Sequence, residues 1–149
     1  MSGERRTLSL ECHQMKISIY KKTHFNAAHR LHHNEWSDEK NREVFGKCNL
    51  PSYHGHNYVL EVKVTGEIEP DTGFVMDVGE LKAIIQREIL DRYDHRNLNL
   101  DIPEFMDVNP TVENIGVEIY NRLRKHLDTK YVLGLRLYET DRNWVDIEP

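Results

Sequence analysis

The sequence predicts an α+β domain in the order ββααββ, with both helices packed on one face of a four-stranded, mainly antiparallel sheet. Three observations support this prediction. Apolar and polar residues alternate in two long segments of the N-terminal half and in two segments near the C-terminus. Between them, two segments repeat apolar residues at helical spacing. The length of 149 residues favours a single domain.

The first two strands are predicted at residues 16–29 and 53–66. In the first, Ile17, Phe25 and His29 share one parity and therefore one face. In the second, the alternating apolar residues are Tyr58, Leu60, Val62 and Val64. Residues 30–52 are expected to form a polar connection that carries Cys48, and a loop of this length is often functional.

Two amphipathic helices are predicted next. Asp77 is a suitable N-cap for the first, which ends near Arg92. Asn109 is the expected N-cap of the second, with Pro110 at its first position. The apolar stripes that should face the core are Val78, Leu81, Ile84, Ile85 and Ile89 in the first helix, and Val112, Ile115, Ile119 and Leu123 in the second.

The closing strands are predicted at residues 131–140 and 143–147, with a tight turn at Asp141 and Arg142. Glu139 shares parity with the apolar residues of its strand. Because an unpaired buried charge is costly, this carboxylate should have a partner. The alternatives are an arginine of the protein or a ligand with N–H donors. The open edges of such a sheet also predict association of several copies of the chain.

Three histidines form a candidate metal site. His54 and His56 point to the apolar face of their strand, and His29 ends a neighbouring strand with the same orientation. Three imidazole nitrogens and one open position are typical of catalytic zinc. The alternative is a pair of hydrogen-bonded histidines at a strand start. The other histidines nearby are expected at the surface: His24, His32 and His33.

Other residues are candidates for proton transfer. Cys48 lies close in sequence to the histidine pair, which favours a reactive thiolate over an inert thiol. Asp94 and His95 are adjacent, and a carboxylate can orient an imidazole for proton transfer. A polar turn is the alternative for these two. Glu113, in the first turn of the second helix, also has a structural explanation in the helix dipole.

Composition excludes several classes. A formal net charge of −5 argues against nucleic acid as a main partner. No apolar run approaches the about 20 residues that a membrane span needs. The first 14 residues lack the apolar core of a signal peptide, so a cytoplasmic protein is expected. Residues 1–15 are predicted to be a flexible tail and residues 16–149 a single domain, and Cys12 and Cys48 do not suggest a disulfide framework.

Several motifs together resemble one family, from about Ile17 to Ile147. The chain is similar to 6-pyruvoyl-tetrahydropterin synthase and its relative, 6-carboxytetrahydropterin synthase of the queuosine pathway. The resemblance implies the tunnelling fold (T-fold), in which trimers close a barrel, two trimers stack as a hexamer and the active site lies at a subunit interface. The motifs lie at residues 25–31 (FNAAHRL), 45–49 (FGKCN), 54–58 (HGHNY), 72–77 (TGFVMD), 94–98 (DHRNL), 110–114 (PTVEN) and 138–141 (YETD).

The resemblance also implies residue roles. Zinc would be held by His29, His54 and His56. Proton transfer would fall to Cys48 as general base and to Asp94 with His95 as a relay. The pterin ring would be bound by Glu139, with Thr111 and Glu113 helping. The implied substrate is 7,8-dihydroneopterin triphosphate.

Two reactions on this substrate remain open. The pyruvoyl reaction eliminates triphosphate, whereas the carboxy reaction also releases acetaldehyde. The run 45–49 and the spacing from Cys48 to His54 are more similar to the pyruvoyl branch, which we favour. The run 109–111 is more similar to the queuosine branch. Val112 stands where pyruvoyl enzymes commonly have a second threonine, so the chain departs from the pyruvoyl pattern at one pterin contact. A zinc- or pterin-binding protein without turnover is a third reading, against which Cys48, Asp94 and His95 argue.

Overall fold

The computed structural model describes residues 15–149. Residues 1–14 of the predicted tail, with Cys12, lie outside this range. The described chain forms one mixed sheet in the order β3-β1-β2-β4-β5. Its strands are β1 (Ile17–His29), β2 (His54–Gly66), β3 (Arg96–Asn97), β4 (Val132–Tyr138) and β5 (Trp144–Ile147).

The four predicted strands are all present and pair antiparallel. The longest pairing joins β1 to β2 along their whole length, from Ile17 opposite Gly66 to His29 opposite His54. The predicted strand number was wrong, because β3 adds a fifth strand parallel to β1. This strand has two residues, which is too short for any alternation to be visible in a sequence.

Helix α2 (Val78–Ile85) begins where the sequence predicts. The Asp77 carboxylate caps it by accepting the N–H of Gly79 at 2.7 Å. The helix continues through a π-helical turn (Gln86–Leu90) into a last turn (Asp91–Tyr93). A short helix, α3 (Leu98–Asp101), and a 3₁₀ turn (Pro103–Phe105) then lead to the second long helix.

The predicted cap of the second long helix was wrong. Helix α4 (Val112–Arg124) is capped by Thr111, whose hydroxyl accepts the N–H of Asn114 at 3.2 Å. Asn109 and Pro110 therefore precede the helix. Both asparagine and threonine are good caps, so local preference could not decide between them. Asn109 has a different partner, the backbone N–H of His32 at 2.9 Å.

Residues 30–52 are more ordered than a polar connection. They contain α1 (Asp38–Phe45), capped by Ser37, and a 3₁₀ turn (Gly46–Asn49) that carries Cys48. Helix α1 is largely polar and has no apolar stripe, so the sequence pattern did not predict it. His32 and His33 are half-buried rather than exposed, and His33 stacks on Trp36 at 4.4 Å between ring centroids. His24 is exposed, as predicted.

Both long helices pack on one face of the sheet, as predicted. The core consists of the inward residues of β1, β2 and β4 with the apolar stripes of α2 and α4. Phe25 and Tyr58 stack at its centre, 5.0 Å apart. Val78 is the exception in the predicted stripe and remains exposed. Beyond Phe25 and Tyr58, the same sheet face continues with His29 and His56, so the core positions the histidines.

No helix within residues 15–149 has the length and apolar character needed to cross a membrane.

Candidate active site

Three histidine rings meet at one end of the β1–β2 pair. His29 lies opposite His54 in the strand register, and His56 lies opposite Ala27. The ring centroids are 4.5 to 5.1 Å apart. One ring nitrogen from each histidine lies within 4.8 Å of the others. His29 is fully buried and the other two are half-buried, so the cluster opens to one side.

A backbone carbonyl fixes the tautomer of His29. Its Nδ1 atom lies 2.7 Å from the oxygen of Pro110. A carbonyl can only accept, so Nδ1 must donate its hydrogen, and Nε2 is left with its lone pair towards the cluster. Such a contact on the far nitrogen is the usual way in which proteins orient a metal-binding imidazole.

The environment favours the neutral form of His29 and of His56. Burial, helped by the nearby His54 and His56, lowers the pKa of His29 to about 4, although the Pro110 hydrogen bond opposes the shift. Burial also lowers the pKa of His56, while the charge of Glu139 opposes this shift. Neutral imidazole is the form that binds metals. Together with the inward Nε2 lone pair of His29, this shows that the cluster can hold a metal ion.

Glu139 lies immediately beside the histidines. Its Oε1 atom is 3.5 Å from Nε2 of His29 and 3.7 Å from Nε2 of His56. The side chain is half-buried, and it forms no ion pair with an arginine or lysine of residues 15–149. Of the two predicted partners, an arginine is therefore ruled out within this part of the chain. The carboxylate can accept hydrogen bonds from N–H groups of a ligand.

A cleft of ≈ 560 Å³ opens next to Glu139. The turn that carries Cys48, the start of α4 and the turn between β4 and β5 form its walls. It brings together four of the predicted site residues: Cys48, Thr111, Glu113 and Glu139. Of these, Glu139 also contacts the histidine cluster, so the cleft and the cluster form one continuous site.

Asp94 and His95 are not part of this cleft. They follow α2 and lie against β1, where Asp94 accepts the backbone N–H of Asn26 at 2.8 Å. His95 lies 3.0 Å from the other carboxylate oxygen and donates its own backbone N–H to Asn26. The Asn26 hydrogen bond, more than the nearby His95, keeps the pKa of Asp94 below its usual value. His95 has a φ of 60°, a rare conformation outside glycine that is often found at functional sites.

Sequence reasoning missed two contributors to the site. The Pro110 carbonyl orients His29, but a backbone acceptor has no signature in a sequence. Arg142, Asn143 and Trp144 line the cleft from the turn between β4 and β5. The tight turn itself was predicted, and it is closed by the N–H of Glu139 bonded to the Asn143 carbonyl at 3.0 Å. That pairing brings the three side chains next to Glu139.

Fold and site together define a class: an α+β enzyme with a three-histidine metal site beside a cleft that contains a thiol and two carboxylates. The chain belongs to the 6-pyruvoyl tetrahydropterin synthase family, whose model matches residues 18–149.

Known relatives agree with this assignment. The chain is 48% identical over 121 residues to 6-pyruvoyl tetrahydrobiopterin synthase of Poecilia reticulata, covering 81% of this chain and 82% of the relative. It is 44% identical over 130 residues to the enzyme of the same name from Homo sapiens, covering 87% and 90%. The solved structure of Caenorhabditis elegans 6-pyruvoyl tetrahydropterin synthase superposes with a TM-score of 0.85 at 35% identity, covering 91% of this chain and 96% of that one.

Proposed function

We propose that this protein is a zinc-dependent 6-pyruvoyl-tetrahydropterin synthase, a lyase that acts on 7,8-dihydroneopterin triphosphate and eliminates triphosphate. One observation supports this most strongly: the histidine cluster opens beside a cleft that contains Cys48 and Glu139, in a chain of this family. The proposed metal ligands therefore lie beside the proposed base and the proposed pterin acceptor.

His29, His54 and His56 would hold the zinc ion. Three neutral imidazoles leave a position for substrate, as in other catalytic zinc sites. When bound, zinc supplies a Lewis acid for the hydroxyl and carbonyl oxygens of the substrate side chain. Pro110 keeps the His29 ring in the orientation that this requires.

The pterin ring would be bound by the carboxylates and hydroxyl of the cleft. Glu139 accepts hydrogen bonds from the amino and ring N–H groups, a charge-assisted interaction that fixes the orientation of the ring. Thr111 and Glu113 lie in the same cleft and supply further polar contacts. Because the carboxylate lies at the edge of the histidine cluster, a ring anchored there directs its side chain towards the metal.

Cys48 would be the general base. Its thiolate removes the proton from the side-chain carbon next to an oxygen, and triphosphate then leaves. The proton must be returned at another carbon, which calls for a second acid. Asp94 and His95 suit that role, since the carboxylate accepts a hydrogen bond from the imidazole at 3.0 Å and orients the ring for proton transfer.

The Asp94–His95 pair lies outside the cleft of its own subunit, so we assign it to the cleft of a neighbouring subunit. This agrees with an active site at a subunit interface, and with a homohexamer of two stacked trimers. The open edges of the sheet, at β5 and along the part of β1 that β3 leaves unpaired, offer backbone groups for such contacts.

A product assay tests the function. The zinc-loaded protein is incubated with 7,8-dihydroneopterin triphosphate, and pterins and aldehydes are identified by mass spectrometry. Pyruvoyl-tetrahydropterin without acetaldehyde is expected. Carboxytetrahydropterin with acetaldehyde would assign the chain to the queuosine branch instead, which the run 109–111 favours. If protein with full zinc content forms neither product, the proposed enzymatic function is contradicted.

A further inference from the structure

Four asparagine side chains hold the backbone that follows the metal ligand His29. This backbone, residues 30–33, leaves the sheet where β1 ends and has no strand partner. The four side chains come from four separate parts of the chain, and we call them the asparagine clamp: Asn41 of α1, Asn49 of the 3₁₀ turn, Asn99 of α3, and Asn109 before α4.

Each asparagine binds the backbone of one residue of the segment. Asn99 binds both the N–H and the carbonyl of Arg30, at 2.8 and 2.9 Å. Asn41 binds the N–H and the carbonyl of His33 in the same way, at 2.7 and 3.0 Å.

The backbone of each of the two middle residues has one hydrogen bond to the clamp. Asn49 donates to the Leu31 carbonyl at 2.7 Å. Asn109 accepts the N–H of His32 at 2.9 Å. Asn41 and Asn49 are themselves buried, and their amides supply hydrogen-bond partners to backbone groups that have none in a strand.

The clamp connects the metal ligand to the base. Asn49 directly follows Cys48, and the Cys48 carbonyl accepts the N–H of Leu31 at 2.9 Å. The Nδ2 atom of Asn49 has a second acceptor, Nδ1 of His32, at 3.0 Å. Arg30 adds a further bond from its Nε atom to the Asn49 carbonyl at 2.7 Å. The backbone that carries the Cys48 thiol is therefore hydrogen-bonded to the residues that directly follow His29.

The clamp also connects the metal ligand to the wall of the cleft at the start of α4, which carries Thr111. Asn109 precedes Pro110, which orients the His29 ring, and Thr111, which lines the cleft. The backbone carbonyl of Asn109 accepts from the side chain of Asn114 at 2.9 Å, so this residue is held from both sides. Its side chain ties that wall to residue 32.

We propose that Asn49 and Asn109 are positioning residues for the reaction. They set the position of the Cys48 thiol and of the Thr111 hydroxyl relative to the His29 ring through residues 31 and 32. This inference rests on the proposed function for the roles of Cys48 and Thr111. Neither asparagine lines the cleft, so both act through their neighbours.

Hydrogen-bond direction gives a sharp test, because aspartate keeps the acceptor of asparagine and loses the donor. Asn49 acts as a donor, so Asn49→Asp should reduce kcat about 10- to 100-fold, with zinc content unchanged. Asn109 acts as an acceptor, so Asn109→Asp should stay near wild type, whereas Asn109→Ala should lose activity. Asn121→Ala, at an exposed position of α4, is the control.

If the asparagines had only a structural role, their substitution would lower the melting temperature but leave kcat per zinc-loaded subunit unchanged. A lowered melting temperature with unchanged kcat in Asn49→Asp would therefore overturn the proposal. Equal losses of activity in Asn109→Asp and Asn109→Ala would overturn it as well. If Asn49→Asp fails to fold, Asn49→Ala replaces it, and the Asn109 pair remains decisive.

A second measurement does not depend on turnover. The rate at which iodoacetamide alkylates Cys48 is measured on separated peptides, so that it is distinguished from alkylation of Cys12. This rate should differ from wild type in Asn49→Asp but not in Asn121→Ala. An unchanged rate would contradict the proposed positioning of the thiol. Failure of the wild type to form any pterin product would refute the proposed function, while the alkylation result would still test the clamp.

Discussion

His29 and His54 occupy opposed positions on β1 and β2, and their Nε2 atoms are 3.0 Å apart. Because His29 donates from Nδ1 to Pro110, its Nε2 atom carries a lone pair. In a metal-free chain, His54 must supply the hydrogen between them. Bonds of about 2.0–2.1 Å from both nitrogens to one zinc ion would replace that contact. Strand register therefore prepares the metal site before any ion binds.

Removal of one histidine of the cluster should abolish metal binding. His54→Ala leaves two imidazoles, which is fewer than the three protein ligands of known catalytic zinc sites. We expect less than stoichiometric zinc after dialysis, measured by atomic absorption. His24→Ala, at an exposed position on the same strand as His29, should retain full zinc. Full zinc occupancy in His54→Ala would refute the ligand set.

Removal of the thiol should separate metal binding from turnover. Cys48→Ala should keep its zinc and lose activity by about 10²- to 10⁴-fold, the usual contribution of a general base. The matched control is Cys12→Ala, which removes the other cysteine of the chain. Steady-state rates with equal zinc content measure the effect. An unchanged rate in Cys48→Ala would show that another group removes the proton.

The buried His29 should make the metal-free protein sensitive to mild acid. Its pKa is about 4 in the folded protein, against 6.5 for an imidazole in an unfolded chain. Unfolding therefore takes up a proton between these values, so this contribution is complete above pH 6.5 and is lost as the pH falls towards 4. The free energy of unfolding should be about 2 kcal/mol lower at about pH 5 than at about pH 7.

Urea unfolding of the metal-free protein at both pH values measures this loss. His29→Gln should show a smaller difference between the two pH values, because it removes the titrating group. His24→Gln, which changes an exposed histidine, should behave as wild type. An equal pH dependence in wild type and His29→Gln would contradict the assignment to His29.

Two inactive variants should restore activity when they share an oligomer. Cys48→Ala lacks the base and Asp94→Asn weakens the relay, yet a mixed oligomer contains some interfaces with an intact Cys48 and an intact Asp94–His95 pair. We expect activity to reappear after the two variants are unfolded together and refolded with zinc. Each variant refolded alone is the control. No recovery in verified mixed oligomers would place both groups in one subunit's site.

Much of this site follows from the period of a strand. Parity placed His29, His54 and His56 on the apolar face, and the structure confirms it because strand geometry leaves side chains no other choice. Glu139, one residue beyond the end of β4, also lies on this face, where its carboxylate is 3.5 Å from Nε2 of His29. The helix stripes of α2 and α4 were predictable for the same reason, with the exposed Val78 as the exception.

Other features depend on contacts that sequence patterns do not record. The short α1 and the two-residue β3 are stabilised by tertiary contacts rather than by an apolar period. Asn109 was predicted to cap a helix, yet its amide binds residue 32, because a partner distant in sequence competed with the local one. Similarly, adjacency of Asp94 and His95 predicted their contact but not their separation from Cys48.

Zinc titration of the stripped enzyme tests whether the reaction depends on the three-histidine site. Chelator-treated protein is supplied with increasing zinc, and triphosphate release from 7,8-dihydroneopterin triphosphate is measured at each step. We expect no release without zinc and a linear rise that ends at one zinc per chain, absent in His54→Ala. Full activity in stripped protein with no residual metal would contradict a reaction that depends on the His29, His54 and His56 site.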